Sequence, residues 1–120
     1  MDDDSRTSQT RKDDTPSVLI HAWKNQALGL STHEKVYASF DDNLISLMRK
    51  VRKDMGLYAH QVKNERGLEE LRGAADIIQD GCARLSADFR EGMDYEVFCL
   101  RVQEEKKIWF EQLYIREDER

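Results

Sequence analysis

The side chains best suited to metal binding or nucleophilic chemistry are three histidines and two cysteines, and they are scattered along the chain. They are His21, His33, His60, Cys82 and Cys99. Zinc sites bring such residues together at short, paired spacings. Here no histidine has a second histidine one helical turn away, and neither cysteine has a close histidine or cysteine neighbour. We therefore expect no metal site and no bound cofactor.

The carboxylates are numerous, but their spacing does not suit acid–base catalysis. The chain has 24 Asp and Glu residues, and its adjacent pairs include Asp41-Asp42, Glu69-Glu70 and Glu104-Glu105. Adjacent residues on a helix point to different sides, so these pairs do not converge on one reacting atom. The sequence also lacks the glycine-rich phosphate loop and the nucleophile elbow. It therefore predicts a non-catalytic protein.

Four basic residues crowd five consecutive positions, RKVRK: Arg49, Lys50, Arg52 and Lys53. Such a cluster can contact nucleic acid, anionic lipid or an acidic protein, or act as a nuclear import signal. The competing interpretation is that these cations occupy the last turns of a helix, where they complement the helix dipole. Four charges without interleaved aromatic residues are a small footprint for nucleic acid. The helix-end interpretation is therefore favoured, with nucleic-acid contact as the alternative.

The elements that position these residues are helices, and the clearest helical pattern lies in residues 68–89. Apolar residues there follow one another at alternating steps of three and four. They are Leu68, Leu71, Ala75, Ile78, Cys82, Leu85 and Phe89. This spacing keeps them on one stripe and is typical of coiled-coil packing, which requires a partner helix. Gly73 and Gly81 within this helix are expected to be points of close approach for a neighbour.

A second helix with a matching stripe is predicted over residues 32–55. Ser31 and Glu34 form a capping box at its start, and Gly56 is expected to end it. Its stripe comprises Tyr37, Phe40, Leu44, Leu47 and Val51. Residues 57–66 are ambiguous between a connector and an early turn of the third helix.

A shorter helix is predicted before these two. Thr15 and Pro16 have the residue types of an N-cap and a first helical residue. The helix is expected to run to about Leu28, with Gly29 as a left-handed stop.

Residues 95–115 fit either a fourth helix or a β-hairpin. Both halves are β-prone, but the joining residues QEEKK are strong helix formers and include no Gly, Asn or Asp. We therefore predict a helix. One face of that helix carries apolar residues suited to the chain's own core, namely Tyr95, Phe98, Val102, Trp109 and Leu113.

A second apolar stripe on this last helix predicts an interface. A helix that is apolar on more than one side is either deeply buried or shared with another molecule. The second stripe consists of Leu100, Phe110 and Tyr114. The predicted contact residues are these three together with Trp109 and Leu113, since aromatic anchors dominate binding energy at interfaces. The competing interpretation is that Phe110 and Tyr114 cover the end of the first helix.

The composition sets the remaining bounds. The chain has 120 residues with 36% charged, 39% hydrophobic and a net charge of −5, which suits one domain of helices with solvated outer faces. Residues 1–14 contain no Leu, Ile, Val, Phe, Trp or Tyr, so we expect a disordered polar tail before a single helical domain, 15–120. No secretory signal or membrane span is visible, which favours an intracellular protein, cytoplasmic or nuclear.

Together these patterns predict an all-α protein, either a helical bundle or a helical hairpin, with about four helices. The matched stripes without a reactive constellation favour a non-catalytic protein–protein interaction module, such as an adaptor, a regulatory subunit or an assembly factor. Surplus apolar surface on the last helix favours a homodimer. The alternative is a nucleic-acid-associated regulator that uses the basic cluster at 49–53.

Overall fold

The computed structural model describes residues 15–61 and 65–113, and these residues form helices without any strand. The α-helices are α1 (Thr15–Leu28), α2 (Phe40–Gln61), α3 (Glu65–Arg90) and α4 (Tyr95–Gln112), and a 3-10 helix (Glu34–Ser39) precedes α2. The all-α prediction is confirmed, and residues 95–112 form a helix and not a hairpin. The predicted disordered tail at 1–14 lies outside the described residues.

The helices form an antiparallel four-helix bundle. The start of α2 lies against the end of α3, because Ser86 Oγ donates a 2.7 Å hydrogen bond to Asp41 Oδ1. Helix α4 runs back along α3, since Arg84 pairs with Glu105 and Asp88 with Arg101. Helices α1 and α3 pack against each other and against both α2 and α4, so α2 and α4 lie at opposite corners.

The two predicted stripes fill the core of the bundle. On α2, four members of the stripe are fully buried, and Tyr37 in the 3-10 helix is partly buried. On α3, the stripe is buried from Leu71 to Leu85, and its end members Leu68 and Phe89 are partly buried. Helix α1 adds Trp23, whose indole Nε1 donates a 2.9 Å hydrogen bond to Asp54 Oδ2 of α2. The periodicity of the sequence thus identified the packed faces of both long helices.

Two glycines on α3 allow neighbouring helices to approach closely. A Cβ on Gly81 would lie 2.6 Å from Glu105 Oε1 and 2.7 Å from Trp109 Nε1, closer than a real Cβ contact. A Cβ on Gly67 would overlap the hydroxyl of Tyr58. The prediction that Gly81 is a contact point is confirmed. The same prediction for Gly73 is wrong, because this residue is exposed and has no neighbouring atom within 4 Å.

The predicted end of the second helix is wrong. Helix α2 continues through Gly56 to Gln61, because Tyr58 is buried beyond it against Gly67 of α3. Residues 57–61 therefore belong to α2, and α3 starts at Glu65. Helix α1 does end at Leu28, but Gly29 is not left-handed. Among the described glycines, a positive φ is found only at Gly92, at 80°, in the turn between α3 and α4.

The predicted capping box is replaced by a different cap. His33 is the N-cap of the 3-10 helix, and its Nδ1 accepts a hydrogen bond from the backbone N–H of Lys35. Ser31 Oγ accepts from the backbone N–H of His33, at 3.1 Å. The 3-10 turn then passes directly into α2 at Phe40. The α-helix therefore begins at Phe40, later than the predicted start at residue 32.

An aromatic cluster closes one end of the bundle. Helix α1 has 14 residues and α3 has 26, so α1 cannot cover the whole length of the bundle. The 3-10 helix covers the remainder: the ring centroid of Tyr37 lies 4.8 Å from that of Tyr95 and 5.2 Å from that of Phe89. The Tyr95 hydroxyl donates a 2.6 Å hydrogen bond to the Thr32 carbonyl. This bond fixes the segment between α1 and the 3-10 helix to α4.

Candidate functional site

The inner face of α4 is devoted to the core. Phe98, Val102 and Trp109 are buried, as is Leu113 directly after the helix. Trp109 Nε1 donates a 3.3 Å hydrogen bond to the Ile77 carbonyl of α3. The predicted contact residues Trp109 and Leu113 are therefore inaccessible to a partner in this structure, because the register of α4 turns them toward α1 and α3. The predicted contact residue Tyr114 lies outside the described residues.

An ion pair between a buried carboxylate and a half-exposed guanidinium interrupts the apolar face of α4. Glu105 is 7% exposed, and its two oxygens accept hydrogen bonds from Arg84 Nε at 2.8 Å and Nη2 at 3.1 Å. The hydrogen bond to Glu105 raises the pKa of Arg84. This bidentate geometry compensates the carboxylate for the loss of water. The Glu105 carboxylate is thus occupied by Arg84 and is not poised for acid–base chemistry.

Cys82 lies next to this ion pair and is fully buried. Burial, and to a smaller extent the negative charge of Glu105, raises the pKa of the Cys82 thiol from 9.0 to about 12. A thiol with such a high pKa remains protonated near neutral pH and is a poor nucleophile. The arrangement indicates a structural cysteine.

The raised pKa of Cys82 predicts a contribution to alkaline unfolding. The folded pKa exceeds the unfolded value, so the contribution to stability is complete below pH 9 and is lost as the pH rises toward about 12. Above pH 9, we expect the free energy of unfolding to fall less steeply with pH in Cys82→Ala than in the parent. The two slopes should differ by up to about 1.4 kcal/mol per pH unit. Urea titrations at several pH values measure this. Equal slopes would contradict it.

Helix α4 exposes three large apolar side chains, Val97, Leu100 and Phe110, of which the last two are the most exposed. Leu100 is 65% exposed and Phe110 is 63% exposed. The Nζ of Lys24 on α1 lies 4.7 Å from the Phe110 ring centroid, a cation–π geometry. Leu100 and Phe110 are about 15 Å apart along the helix, so they are separate points on the surface. The contact with Lys24 places Phe110 beside α1, as the competing interpretation of the sequence predicted. Leu100 remains exposed to solvent.

Arg49, Lys50, Arg52 and Lys53 are all exposed, but they do not lie at a helix end. Helix α2 continues to Gln61, so these cations occupy its middle and the favoured helix-dipole interpretation is wrong. Lys50 pairs with Asp54 at 3.4 Å. Within the described ranges, the other three cations have no ion pair. Their charges therefore face solvent on the outside of α2.

Other kinds of site find little support in the part of the chain that the structure describes. No group of three or more His, Cys, Asp or Glu side chains there could hold a metal ion. No described helix combines the length and the apolar character that crossing a bilayer requires. A surface depression lined by Asp42, Ile45, Ser46 and Arg49 is open to solvent.

The comparisons with known proteins found no matching family model, no matching curated protein and no matching solved structure. The function is therefore inferred from the exposed surfaces of α2, α3 and α4. Two of these surfaces stand out, the apolar residues on the outside of α4 and the charged residues on the outside of α2 and α3.

Proposed function

We propose that the chain is a non-catalytic protein–protein interaction module, such as an adaptor, a regulatory subunit or an assembly factor. The exposure of Leu100 carries this proposal. Helix α4 already buries a complete inner stripe, so Leu100 is not needed for the core. A large apolar side chain that the fold leaves in water gains by transfer into an interface. We propose that the protein acts inside the cell, in the cytoplasm or the nucleus.

The surroundings of Leu100 indicate the chemistry of its partner. Glu96 and Glu104 lie one helical turn before and after it and are exposed on the same side of α4. Val97, 46% exposed, lies beside it. This pattern fits a protein segment that presents an apolar side chain flanked by Lys or Arg. Phe110 adds a second, more distant contact, and the buried Trp109 and Leu113 hold the helix in place.

The proposal predicts that Leu100→Glu weakens partner binding and leaves the fold intact. The substitution lies outside the core, so stability is expected to stay within about 0.5 kcal/mol of the parent. Affinity for the partner is expected to fall at least about tenfold, since an apolar contact is replaced by a charge. The measurement is quantitative affinity capture from the native host, followed by binding with the purified partner.

Gln103→Glu is the matched control, because Gln103 is exposed on the same helix and is not apolar. It adds the same charge without removing an apolar contact, so it should retain the partner. A partner that binds both variants equally would contradict the role of Leu100. Loss of binding by both variants would show an effect of charge alone.

The second candidate is a nucleic-acid-associated regulator that uses Arg49, Lys50, Arg52 and Lys53. The position of these cations in the middle of α2 supports it, because the helix dipole no longer accounts for them. The net charge of −5 opposes it, since a polyanion is repelled by the rest of the molecule. Salt-dependent binding of an oligonucleotide, lost on reversal of the four charges, would favour this candidate.

A further inference from the structure

We propose that two copies of this chain associate about a two-fold axis, with the basic face of α2 in each copy against the acidic face of α3 in the other. The basic face consists of Arg49, Arg52 and Lys53. The acidic face consists of Glu69, Asp76 and Asp80. The proposal uses a surface distinct from Leu100 and does not depend on the function proposed above.

Both faces are exposed and carry charge that the fold leaves uncompensated. All six side chains are exposed. Among the residues that the structure describes, the ion pairs involve other groups, and Lys50 of the basic cluster is turned toward Asp54. Asp80 helps to raise the pKa of Arg84, but that guanidinium is already bonded to a carboxylate of α4. Arg72 lies among the three carboxylates and leaves this stretch of α3 with a net negative charge. Each face therefore retains a charge that an opposite surface can neutralise.

The two faces lie on neighbouring edges of the same side of the bundle. Asp41 contacts Ser86 and Arg90 of α3, so it marks the edge of α2 that faces α3. Arg52 lies about three helical turns further along α2, on that same edge. On α3, Arg90 marks the edge that faces α2, and Asp76 precedes it by nearly four turns. The axes of packed helices are about 8–10 Å apart, so the two faces adjoin on the outside of the bundle without an ion pair between them among the described residues.

The two faces also lie at the same height along the bundle. Asp41 is opposite Ser86, and Tyr58 is opposite Gly67. Between these two points, the antiparallel register places residues 49–53 of α2 opposite roughly residues 72–78 of α3. Asp76 falls within that stretch. A two-fold axis parallel to the helices therefore brings the basic face of one copy onto the acidic face of the other without any shift along the bundle.

A partner for this side of the molecule must carry both signs of charge. Nucleic acid would be attracted by α2 and repelled by Asp76 and Asp80, which lie within about one Debye length of it at physiological salt. A second copy presents its acidic face to α2 and its basic face to α3. The exposed Gly56 on α2 and Gly73 on α3 have no atom within 4 Å of the position that a Cβ would occupy, so the surface is open at these two positions. These features select a second copy as the partner.

Charge exchange tests the proposal. Sedimentation at micromolar concentration is expected to show a salt-sensitive dimer of the 14.1 kDa chain. The variant R49E/R52E/K53E and the variant E69K/D76K/D80K are each expected to dimerise at least about tenfold more weakly. The six-fold variant that exchanges both faces is expected to recover the dimer. An equimolar mixture of the two three-fold variants should form a heterodimer, because one is acidic and the other basic on both faces.

Circular dichroism of each variant establishes that the fold is retained before association is compared. A parent that is monomeric at all salt concentrations overturns the proposal. So does a dimer that survives both three-fold reversals, or a six-fold variant that stays monomeric while folded. Binding of a labelled oligonucleotide to a monomeric parent, lost in R49E/R52E/K53E, would overturn it in favour of nucleic-acid contact. Loss of the Leu100-dependent partner has no bearing on these outcomes.

Discussion

Trp109→Ala is expected to lower the free energy of unfolding by about 3–5 kcal/mol, as truncation of a buried aromatic residue does. Trp109 is fully buried between α4 and α3, and its indole nitrogen donates to the Ile77 carbonyl. The substitution removes the ring, leaves a cavity beside Gly81 and leaves that carbonyl without its indole donor. Urea denaturation followed by circular dichroism measures the loss.

Phe110→Ala is the matched control, since Phe110 follows Trp109 directly and is 63% exposed. We expect it to cost no more than about 1 kcal/mol, mainly through the lost cation–π contact with Lys24. If both substitutions were equally destabilising, Phe110 would belong to the core and the register of α4 would be wrong. The contrast also separates the core residues of α4 from its surface residues before any partner is identified.

Gly81→Ala is expected to destabilise the bundle by about 1–3 kcal/mol, as overpacking of a filled core does. The added Cβ would lie 2.6–2.8 Å from atoms of Glu105 and Trp109. Neither side chain can yield easily, because Arg84 holds Glu105 and the Ile77 carbonyl holds Trp109. The penalty therefore exceeds the gain in helix propensity that alanine brings.

Gly73→Ala isolates that gain, because Gly73 is on the same helix, is exposed, and has no neighbouring atom within 4 Å of the new Cβ. It is expected to stabilise the protein by about 0.5–1 kcal/mol. Thermal or urea unfolding of the two variants gives the comparison. A stabilising Gly81→Ala would show that α3 and α4 are not packed closely at this point.

The packed faces of α2 and α3 were predictable from the sequence because burial imposes a period on side chains within one helix. Leu44, Leu47 and Ile78 lie in the core for this reason. The same logic separated the inner stripe of α4 from Leu100 and Phe110. It did not show that Trp109 and Leu113 are inaccessible, because an aromatic anchor and a core aromatic residue have the same pattern in the sequence.

Features that depend on two elements at once were not predictable. Gly56 has the residue type of a helix stop, but the packing of Tyr58 against Gly67 extends α2 beyond it. The ion pair between Arg84 and Glu105 requires the register of α3 against α4, which no local pattern encodes. A carboxylate at a core position of α4 was the signal that a cationic partner existed. The shared height of the charged faces on α2 and α3 likewise emerges only from the packed bundle.

One corner of the bundle is made of two elements in series, α1 and the 3-10 helix, where each other corner has one long helix. The break between them at residues 29–33 has few backbone hydrogen bonds, such as Leu30 N–H to the Ala27 carbonyl. It is held mainly by side chains of α4, because Lys106 Nζ donates to the Leu30 carbonyl and the Tyr95 hydroxyl donates to the Thr32 carbonyl. Regions with sparse bonding open before the whole molecule does. This corner is therefore the expected origin of partial unfolding. In the partly unfolded form, Tyr37 would move away from Phe98 while α2 and α3 stay paired. This form would expose apolar side chains at one end of the bundle.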